Sequence, residues 1–416
     1  MKNAGAFIVL ALLGTAAAQG PSRITMDEAI QLAQTHSPAL QAARTQVPQG
    51  QAQEITANLR PNPTLAWDTQ FLPLFHMSQF TSDLVNDQAQ FDMGLGYLFE
   101  RGKKRQHRLA AARAQTAVTR AQVSDLERTI AFNVAQEFVA VLQAESNLAL
   151  AQDNLQSYQQ TVSISEQRYK AGDTSEGDYL RIKLQMLQFQ TDVSTAMLAR
   201  TQALIALRQL IGYSAVPADF DVVGDLAYQP LKLNLDDLKA LALRTRPDLA
   251  GAQRAVDAAT ADYQLARANG KQDLATSFNF AHVAGTSTGA FFFNIPLPVF
   301  DRNQGEIART HFAINQSQAQ STAAAETVLA DVTNAYEAVR SNSAVVALFT
   351  SGYLDASSQS REITQYAYRK GASTLLDLLY AERSYRATEL AYRDALASYM
   401  TAVEQLRAAV GTRNLP

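Results

Sequence analysis

The sequence predicts a mainly α-helical protein with a small β part, built from two tandem repeats that each run helix-helix-strand-strand-helix-helix. Long segments predict the helices: residues 103–171 contain no glycine or proline, and residues 306–370 contain one glycine, Gly352. Their apolar side chains form a narrow seam, which is typical of coiled-coil packing. Four short stretches predict strands, because apolar residues recur there at every second position.

Composition excludes several functional classes. The chain has 416 residues, a formal charge of −3 and no cysteine. A protein that binds nucleic acid usually has an excess of positive charge, which this chain lacks. Without cysteine there is no disulfide scaffold, thiolate metal site, cysteine nucleophile or lipid-bearing cysteine. The five histidines are scattered, and no phosphate-binding, dinucleotide-binding or nucleophile motif occurs. We therefore expect no enzyme, no cofactor and no bound metal.

Residues 1–18 are predicted to be a secretory signal peptide. Lys2 is followed by an apolar run at residues 6–13 and by small residues at 14–18. This order is that of a signal peptide with its cleavage site. The apolar run is far shorter than the about 20 residues that a membrane-spanning helix needs. We therefore expect an exported protein.

The repeats are visible as short matching sequence motifs that occur in the same order in both halves. They divide the chain into a first repeat at 19–212, a linker at 213–230 and a second repeat at 231–416. Missing such a duplication would give the wrong fold. The matching words are residues 24–28 and 233–237, 37–40 and 246–249, 168–172 and 367–371, and 210–212 and 409–411.

Each repeat begins with the same helix signals. Thr25 and Asn234 are predicted N-caps of a short helix, and Pro38 and Pro247 lie in the first turn of the next helix. Stacked end to end, this second helix and the one that returns from the hairpin approach the length of the long helix, at about 1.5 Å per residue. The sequence therefore predicts a rod.

The predicted strands are about 64–72, 90–99, 274–283 and 289–297. Periodicity alone leaves open an ordinary half-buried sheet, but predicted export favours strands that face membrane lipid. Four strands cannot close a membrane barrel, which needs about 8, and open sheet edges do not occur in lipid. Several copies would then have to share one barrel. The expected lipid-facing residues are Leu65, Trp67, Phe71, Phe91, Met93, Leu95, Tyr97, Phe99, Phe278, Phe280, Phe291, Phe293 and Ile295.

Three junction words resemble the outer-membrane efflux proteins, the TolC-like outer membrane factors, over the whole mature chain. They are residues 60–65 (Arg-Pro-Asn-Pro-Thr-Leu), 100–105 (Glu-Arg-Gly-Lys-Lys-Arg) and 296–305. The branch they resemble most serves resistance-nodulation-division pumps, including CzcC-like heavy-metal exporters. The resemblance implies a homotrimer with a shared 12-strand transmembrane barrel and a helical periplasmic tunnel. Its implied partners are a periplasmic adaptor, an inner-membrane pump and outer-membrane lipid.

The resemblance also implies a gate where the tunnel closes at the hairpin tips. The implied aperture residues are Asp178, Tyr368, Asp377 and Tyr380, with the Tyr368 hydroxyl bonding across to the other hairpin. The alternative is that both aspartates are ordinary acidic residues in the first turn of a helix. Ser373 stands where some members have an arginine, which favours a hydrogen-bonded or hydrophobic gate over a charge-locked one. The implied docking residues at the tips are Arg168, Tyr169, Gly172, Arg369, Lys370 and Gly371.

The sequence thus predicts a passive outer-membrane exit duct for heavy-metal cations or small toxic compounds. Two alternatives stay open: a soluble periplasmic coiled-coil scaffold or adaptor, and a conduit for type I secretion. The aromatic strand faces and the duplication argue against the scaffold.

Overall fold

The structure is a computed structural model that describes residues 22–415, so the predicted signal peptide lies outside it. The helices are α1 Met26–His36, α2 Pro38–Arg44, α3 Gln46–Ala57, α4 Lys104–Lys170, α5 Glu176–Ile211, α6 Leu235–Thr245, α7 Pro247–Asn269, α8 Gln304–Leu348, α9 Leu354–Arg369 and α10 Leu375–Val410. The strands are β1 Arg23–Ile24, β2 Thr64–Gln70, β3 Gln90–Phe99, β4 Asp221–Val222, β5 Leu274–Val283 and β6 Thr286–Asn294.

The mainly helical fold class is confirmed, and so are the predicted N-caps. Thr25 and Glu28 form a reciprocal capping box at the start of α1, and the Asn234 side chain accepts a hydrogen bond from the Asp236 N–H at 2.9 Å. Both devices satisfy backbone donors that a helix start leaves free. No helix within residues 22–415 is both long and apolar enough to cross a membrane.

Two predicted helices are interrupted. The helix predicted to begin at Pro38 divides at Thr45, whose hydroxyl donates to the Ala42 carbonyl at 2.6 Å. Pro48 lacks the N–H that would bond the carbonyl of Arg44, so the break has a covalent reason. The long helix after β6 is divided at Gly352, whose φ of 124° lies inside a π-helical turn between α8 and α9. By contrast, α4 runs unbroken for 67 residues.

The main sheet has the order β2-β3-β5-β6, antiparallel throughout. Strand β6 starts and ends three residues earlier than predicted, because β5 and β6 are joined by a tight turn at Ala284 and Gly285, both with positive φ. Ile295 therefore follows the strand. Phe71 also falls outside, since β2 ends at Gln70 and Phe71 has a φ of 60°.

The chain divides into two compact units, and each takes segments from both repeats. Within residues 22–415, unit 1 comprises 22–38, Thr129–Lys232 and Tyr336–Leu406, and it contains the hairpin tips. Unit 2 comprises Ala39–Arg128, Leu233–Ala335 and 407–415, and it contains the four-stranded sheet.

Candidate functional site

Both hairpin tips of unit 1 turn in the same way. After α4, Gly172 has a φ of 82° and the Asp173 N–H donates to the Arg168 carbonyl at 2.9 Å. After α9, Gly371 has a φ of 74° and the Ala372 N–H donates to the Ala367 carbonyl at 2.8 Å. A left-handed residue with this six-residue hydrogen bond is a common helix C-terminus, and glycine adopts it without a Cβ penalty. The two glycines thus reverse the chain.

A small core lies just inside the tips and takes residues from all four helices. Its members are Tyr158 on α4, Ile182 and Phe189 on α5, Tyr368 on α9 and Leu378 on α10. Tyr158 and Phe189 are stacked with their ring centroids 4.4 Å apart. Because both hairpins contribute, moving one hairpin away from the other would expose these rings to water. This core is therefore what holds the tips together.

Tyr368 lies in this core and is 4% exposed. The expectation that its hydroxyl bonds across to the other hairpin is not met, since this atom has no hydrogen-bond partner among residues 22–415. Its repeat equivalent, Tyr169, lies at the surface and stacks on Tyr179 at 5.3 Å between ring centroids. The two tyrosines thus occupy equivalent positions in the repeats, but Tyr368 is buried and Tyr169 is exposed.

Arg168 joins the two hairpins. Its Nη1 donates to the carbonyl of Tyr368 at 2.8 Å, and its guanidinium lies 5.1 Å from the centroid of the Tyr368 ring. Arg168 was expected to face a docking partner, but the structure places it between the tips. Arg369 and Lys370 are exposed on the second tip, as a docking surface requires.

A second link between the hairpins lies further along α5 and α10. Arg386 of α10 forms an ion pair with Asp192 of α5, and its guanidinium lies 4.6 Å from the centroid of the Phe189 ring. Gln188 donates from Nε2 to the other oxygen of Asp192 at 2.8 Å. The ion pair is half-buried, so it is screened less by salt than a surface pair.

The predicted aperture aspartates are placed as first-turn helix residues. Asp377 accepts hydrogen bonds from the Thr374 hydroxyl at 2.6 Å and the Thr374 N–H at 3.1 Å, while its own N–H donates to Thr374 Oγ1. These hydrogen bonds from Thr374 hold the pKa of Asp377 below its ordinary value. Asp178 lies 3.5 Å from Arg181. Both side chains reach solvent, and Tyr380 is 75% exposed.

Sequence analysis missed Glu382, which is 4% exposed near the tip core. Gln365 donates from Nε2 to Glu382 Oε1 at 2.5 Å. Burial raises the pKa of Glu382, and the hydrogen bond from Gln365 and the charges of Arg361 and Arg386 oppose that rise. A lone glutamate in a helical pattern gives no sign of burial, so only the packing reveals it.

In unit 2, the strand register gathers the predicted lipid-facing residues of the strands onto one face. Leu65 pairs with Leu95, Leu95 with Phe278, and Phe278 with Phe291, and all four are exposed. The next row on this face joins Trp67, Met93 and Phe280 to Gly289. Predictions made strand by strand thus converge on one continuous apolar surface.

The opposite face carries small and polar residues. One row is Ala66, Gly94, Asn279 and Ala290, and the next begins with Asp68 directly opposite Asp92. The exceptions on this face are the apolar residues Leu98, Val283 and Phe292. Strands β2 and β6 form the two edges of the sheet. Both faces are exposed, but only the apolar face would be stabilised by contact with an apolar environment.

Comparisons with known proteins agree with this architecture. The model of the family described as "Outer membrane efflux protein" matches residues 29–213 and 238–412. CzcC of Cupriavidus metallidurans, a cobalt-zinc-cadmium resistance protein, is 23% identical over 384 residues, covering 91% of this chain and 87% of CzcC. The probable outer membrane lipoprotein SilC of Salmonella typhimurium is 26% identical over 274 residues, 62% of this chain and 58% of SilC. A crystal structure of CusC superposes with a TM-score of 0.76 at 20% identity, covering 93% of this chain and 92% of that one.

Proposed function

The chain belongs to the outer membrane efflux protein family, and on that basis we propose that it is the passive outer-membrane exit duct of a tripartite efflux system. The observation that carries the proposal is the continuous exposed apolar face of the sheet, on which Trp67 is 77% and Phe291 is 74% exposed. An exposed apolar surface of this extent marks a contact with lipid or protein. The strands lie in the outer membrane and the helices extend into the periplasm.

The duct is a homotrimer. Strands β2 and β6 leave backbone donors and acceptors unpaired at the two sheet edges, and such edges are excluded from lipid. Pairing β6 of one copy with β2 of the next removes every edge once the ring closes. Three copies of four strands give the twelve-strand barrel that the family implies. Each repeat, 19–212 and 231–416, supplies one hairpin and two strands, with 213–230 as the linker.

The tips form the gate. Asp377 and Tyr380 are exposed to solvent and Asp178 is half-buried, so three copies would bring a ring of carboxylates to a narrow mouth that concentrates cations. Tyr368 contributes by packing, since its ring belongs to the buried tip core. Tyr169, Arg369 and Lys370 form the surface on which an adaptor docks, while Gly172 and Gly371 shape the turns and Arg168 joins the tips.

The partners are a periplasmic adaptor and an inner-membrane pump of the resistance-nodulation-division type, which supplies the energy. The substrates are heavy-metal cations or small toxic compounds. No cluster of three or more possible metal-ligating side chains occurs within residues 22–415. A passive duct for metal ions needs no such cluster, because conduction requires weak binding.

Gene deletion with plasmid complementation tests the proposal. The deletion strain should become sensitive to metals, dyes or antibiotics, and the wild-type gene should restore resistance. The protein should remain with the outer membrane until detergent is added. Release by osmotic shock alone would instead favour a soluble scaffold, and lost secretion of a peptide with unchanged sensitivity would favour a type I secretion conduit.

A further inference from the structure

A cationic cavity lies in unit 2 where β3 passes into α4. Its volume is about 500 Å³, and its lining includes four cationic side chains and one carboxylate. Lys104 lies 2.7 Å from Asp273, and Glu100 is paired with Arg108. The remaining cations of the lining have no carboxylate within ion-pair distance among the residues that the structure describes. These three residues, called the basic rim below, are Arg60, Lys103 and Arg105.

Lys103 occupies a backbone position that disfavours lysine. It directly precedes α4 and has a φ of 59°, whereas Asn303 directly precedes α8 with a φ of 63°. Asparagine is among the few residues other than glycine that visit this left-handed region readily. The second repeat therefore uses a suitable residue, and the first repeat accepts backbone strain to place an ammonium group at the cavity. Strained positions of this kind cluster at functional sites.

The start of α4 also carries the unfavourable charge. A helix N-terminus favours acidic residues, and α8 follows this rule with Glu306 in its first turn. The first turn of α4 contains no acidic residue and begins with Lys104 and Arg105. Asp273 pairs with Lys104 and accepts from the Arg101 N–H at 2.9 Å, so within the described residues it is Lys103 and Arg105 that keep their charge without a carboxylate partner at this helix end.

The surroundings of the basic rim are those of a membrane surface. Tyr97 and Phe99 line the same cavity and belong to the apolar face of the sheet, with their ring centroids 4.7 Å apart. At the same end of the sheet, beyond β6, Leu297 is 79% and Phe300 is 90% exposed. Aromatic side chains beside arginine and lysine are typical of the boundary between hydrocarbon and lipid headgroups.

We propose that this cavity binds the phosphate headgroup of an anionic phospholipid from the leaflet that faces the periplasm. The basic rim contacts the phosphate, and Tyr97 and Phe99 contact the glycerol and the upper acyl chain. The inference rests on the proposed function, since this end of the sheet faces that leaflet when the strands lie in the outer membrane. The bound phosphate offsets part of the positive charge of the rim, and the bound lipid fixes the depth of the sheet in the membrane.

Native mass spectrometry of the full-length protein in a neutral detergent tests the site. The protein is titrated with phosphatidylglycerol or with phosphatidylethanolamine of the same acyl chains. Wild type should retain phosphatidylglycerol preferentially. Lys103→Asn and Arg105→Gln should each lower retention about fivefold, the effect expected for one cation at an anionic surface. Lys183→Gln on α5, an equal charge change at an exposed position, should retain phosphatidylglycerol as wild type does.

Lys103→Asn should fold, because Asn303 already occupies the equivalent backbone position. Arg105→Gln gives an independent variant within a regular helix. Equal retention of the two lipids by wild type, or unchanged retention in both variants, would overturn the inference. Displacement of the lipid by millimolar inorganic phosphate would also overturn it, in favour of a free-anion site. If both variants bind lipid as wild type does and still form conducting channels, the lipid site is rejected and the proposed function stands. If the wild-type protein forms no conducting channel, the proposed function itself is rejected.

Discussion

Arg168 on α4 donates a hydrogen bond to the backbone carbonyl of Tyr368 on α9 at 2.8 Å while its guanidinium faces the ring of the same tyrosine. One side chain therefore joins the two hairpins at their tips through both a hydrogen bond and a cation–π contact. This link and the tip core below it hold the hairpins together in the state described here.

Arg168→Ala is expected to raise single-channel conductance in planar bilayers and to lower thermal stability, because the hydrogen bond between the two hairpins is lost while the Tyr368 carbonyl keeps the Gly371 N–H at 3.1 Å. The loss corresponds to about 1 kcal/mol for each copy of the chain. Arg168→Lys should behave similarly, since lysine keeps the charge but lacks the planar fork. Arg369→Ala, at an exposed position of the other tip, is the matched control and should leave conductance unchanged. Equal conductance in Arg168→Ala and wild type would refute the link.

Asp377 has two roles: it forms hydrogen bonds with Thr374 at the start of α10, and it carries a charge at the predicted gate. Two substitutions separate these roles. Asp377→Asn keeps an oxygen that accepts from Thr374 but removes the charge, so we expect lower cation selectivity with little change in stability. Asp377→Ala removes both and should also lower the melting temperature. Reversal potentials in a salt gradient measure the selectivity. If Asp377→Asn and wild type have the same reversal potential, Asp377 is a helix cap and not part of the gate.

Glu382 should make stability depend on pH. Burial raises its pKa in the folded protein above the ordinary value of 4.5. In the pH range between these two values, the folded state binds more protons than the unfolded state, so stability falls as pH rises. Glu382→Gln should therefore melt about 2 °C higher at pH 7, and the difference should shrink as pH falls towards 4.5. Glu362→Gln, on an exposed position of α9, should show no such dependence, and a pH-independent difference for Glu382→Gln would contradict this assignment.

An arginine introduced on the apolar face of the sheet should reduce assembly in the outer membrane more than one introduced on the opposite face. Phe291 lies on the apolar face, and its neighbour Ala290 lies on the opposite one. Phe291→Arg should reduce the amount of assembled protein in the outer membrane, since an arginine facing the hydrocarbon costs about 2–4 kcal/mol at mid-depth. Ala290→Arg should assemble at nearly wild-type levels. Quantitative blotting of outer-membrane fractions measures both, and equal loss in the two variants would mean that the faces do not differ in environment.

Much of the fold could be predicted from the sequence because it depends on local patterns. Freedom from glycine and proline predicted the unbroken helix α4, and period-two alternation predicted which strand residues share the apolar face. The break after β6 falls at Gly352, the single glycine that interrupts residues 306–370. The break at Thr45 was missed, since it depends on a local hydrogen bond that hydrophobic periodicity does not report.

The details of the tip could not be predicted, because they depend on contacts between residues far apart in the sequence. The contact between Arg168 and Tyr368 spans 200 residues. The burial of Glu382 follows from the packing of several helices around it. Periodicity assigns a residue to a face of its own helix but does not specify the opposing side chain. The hydrogen bond of the Tyr368 hydroxyl was implied by the family resemblance, and that hydroxyl has no partner among residues 22–415.

The central claim, that the apolar face of the sheet contacts lipid, has a natural reporter. Trp67 is the single tryptophan of the chain, and it lies on that face with 77% of its side chain exposed. The measurement is Trp67 fluorescence in vesicles of brominated phosphatidylcholine compared with unbrominated vesicles, with aqueous acrylamide as the opposing quencher. Contact with lipid predicts strong quenching by the brominated chains and weak quenching by acrylamide. Strong quenching by acrylamide with no response to bromine would place the face in water and contradict the account.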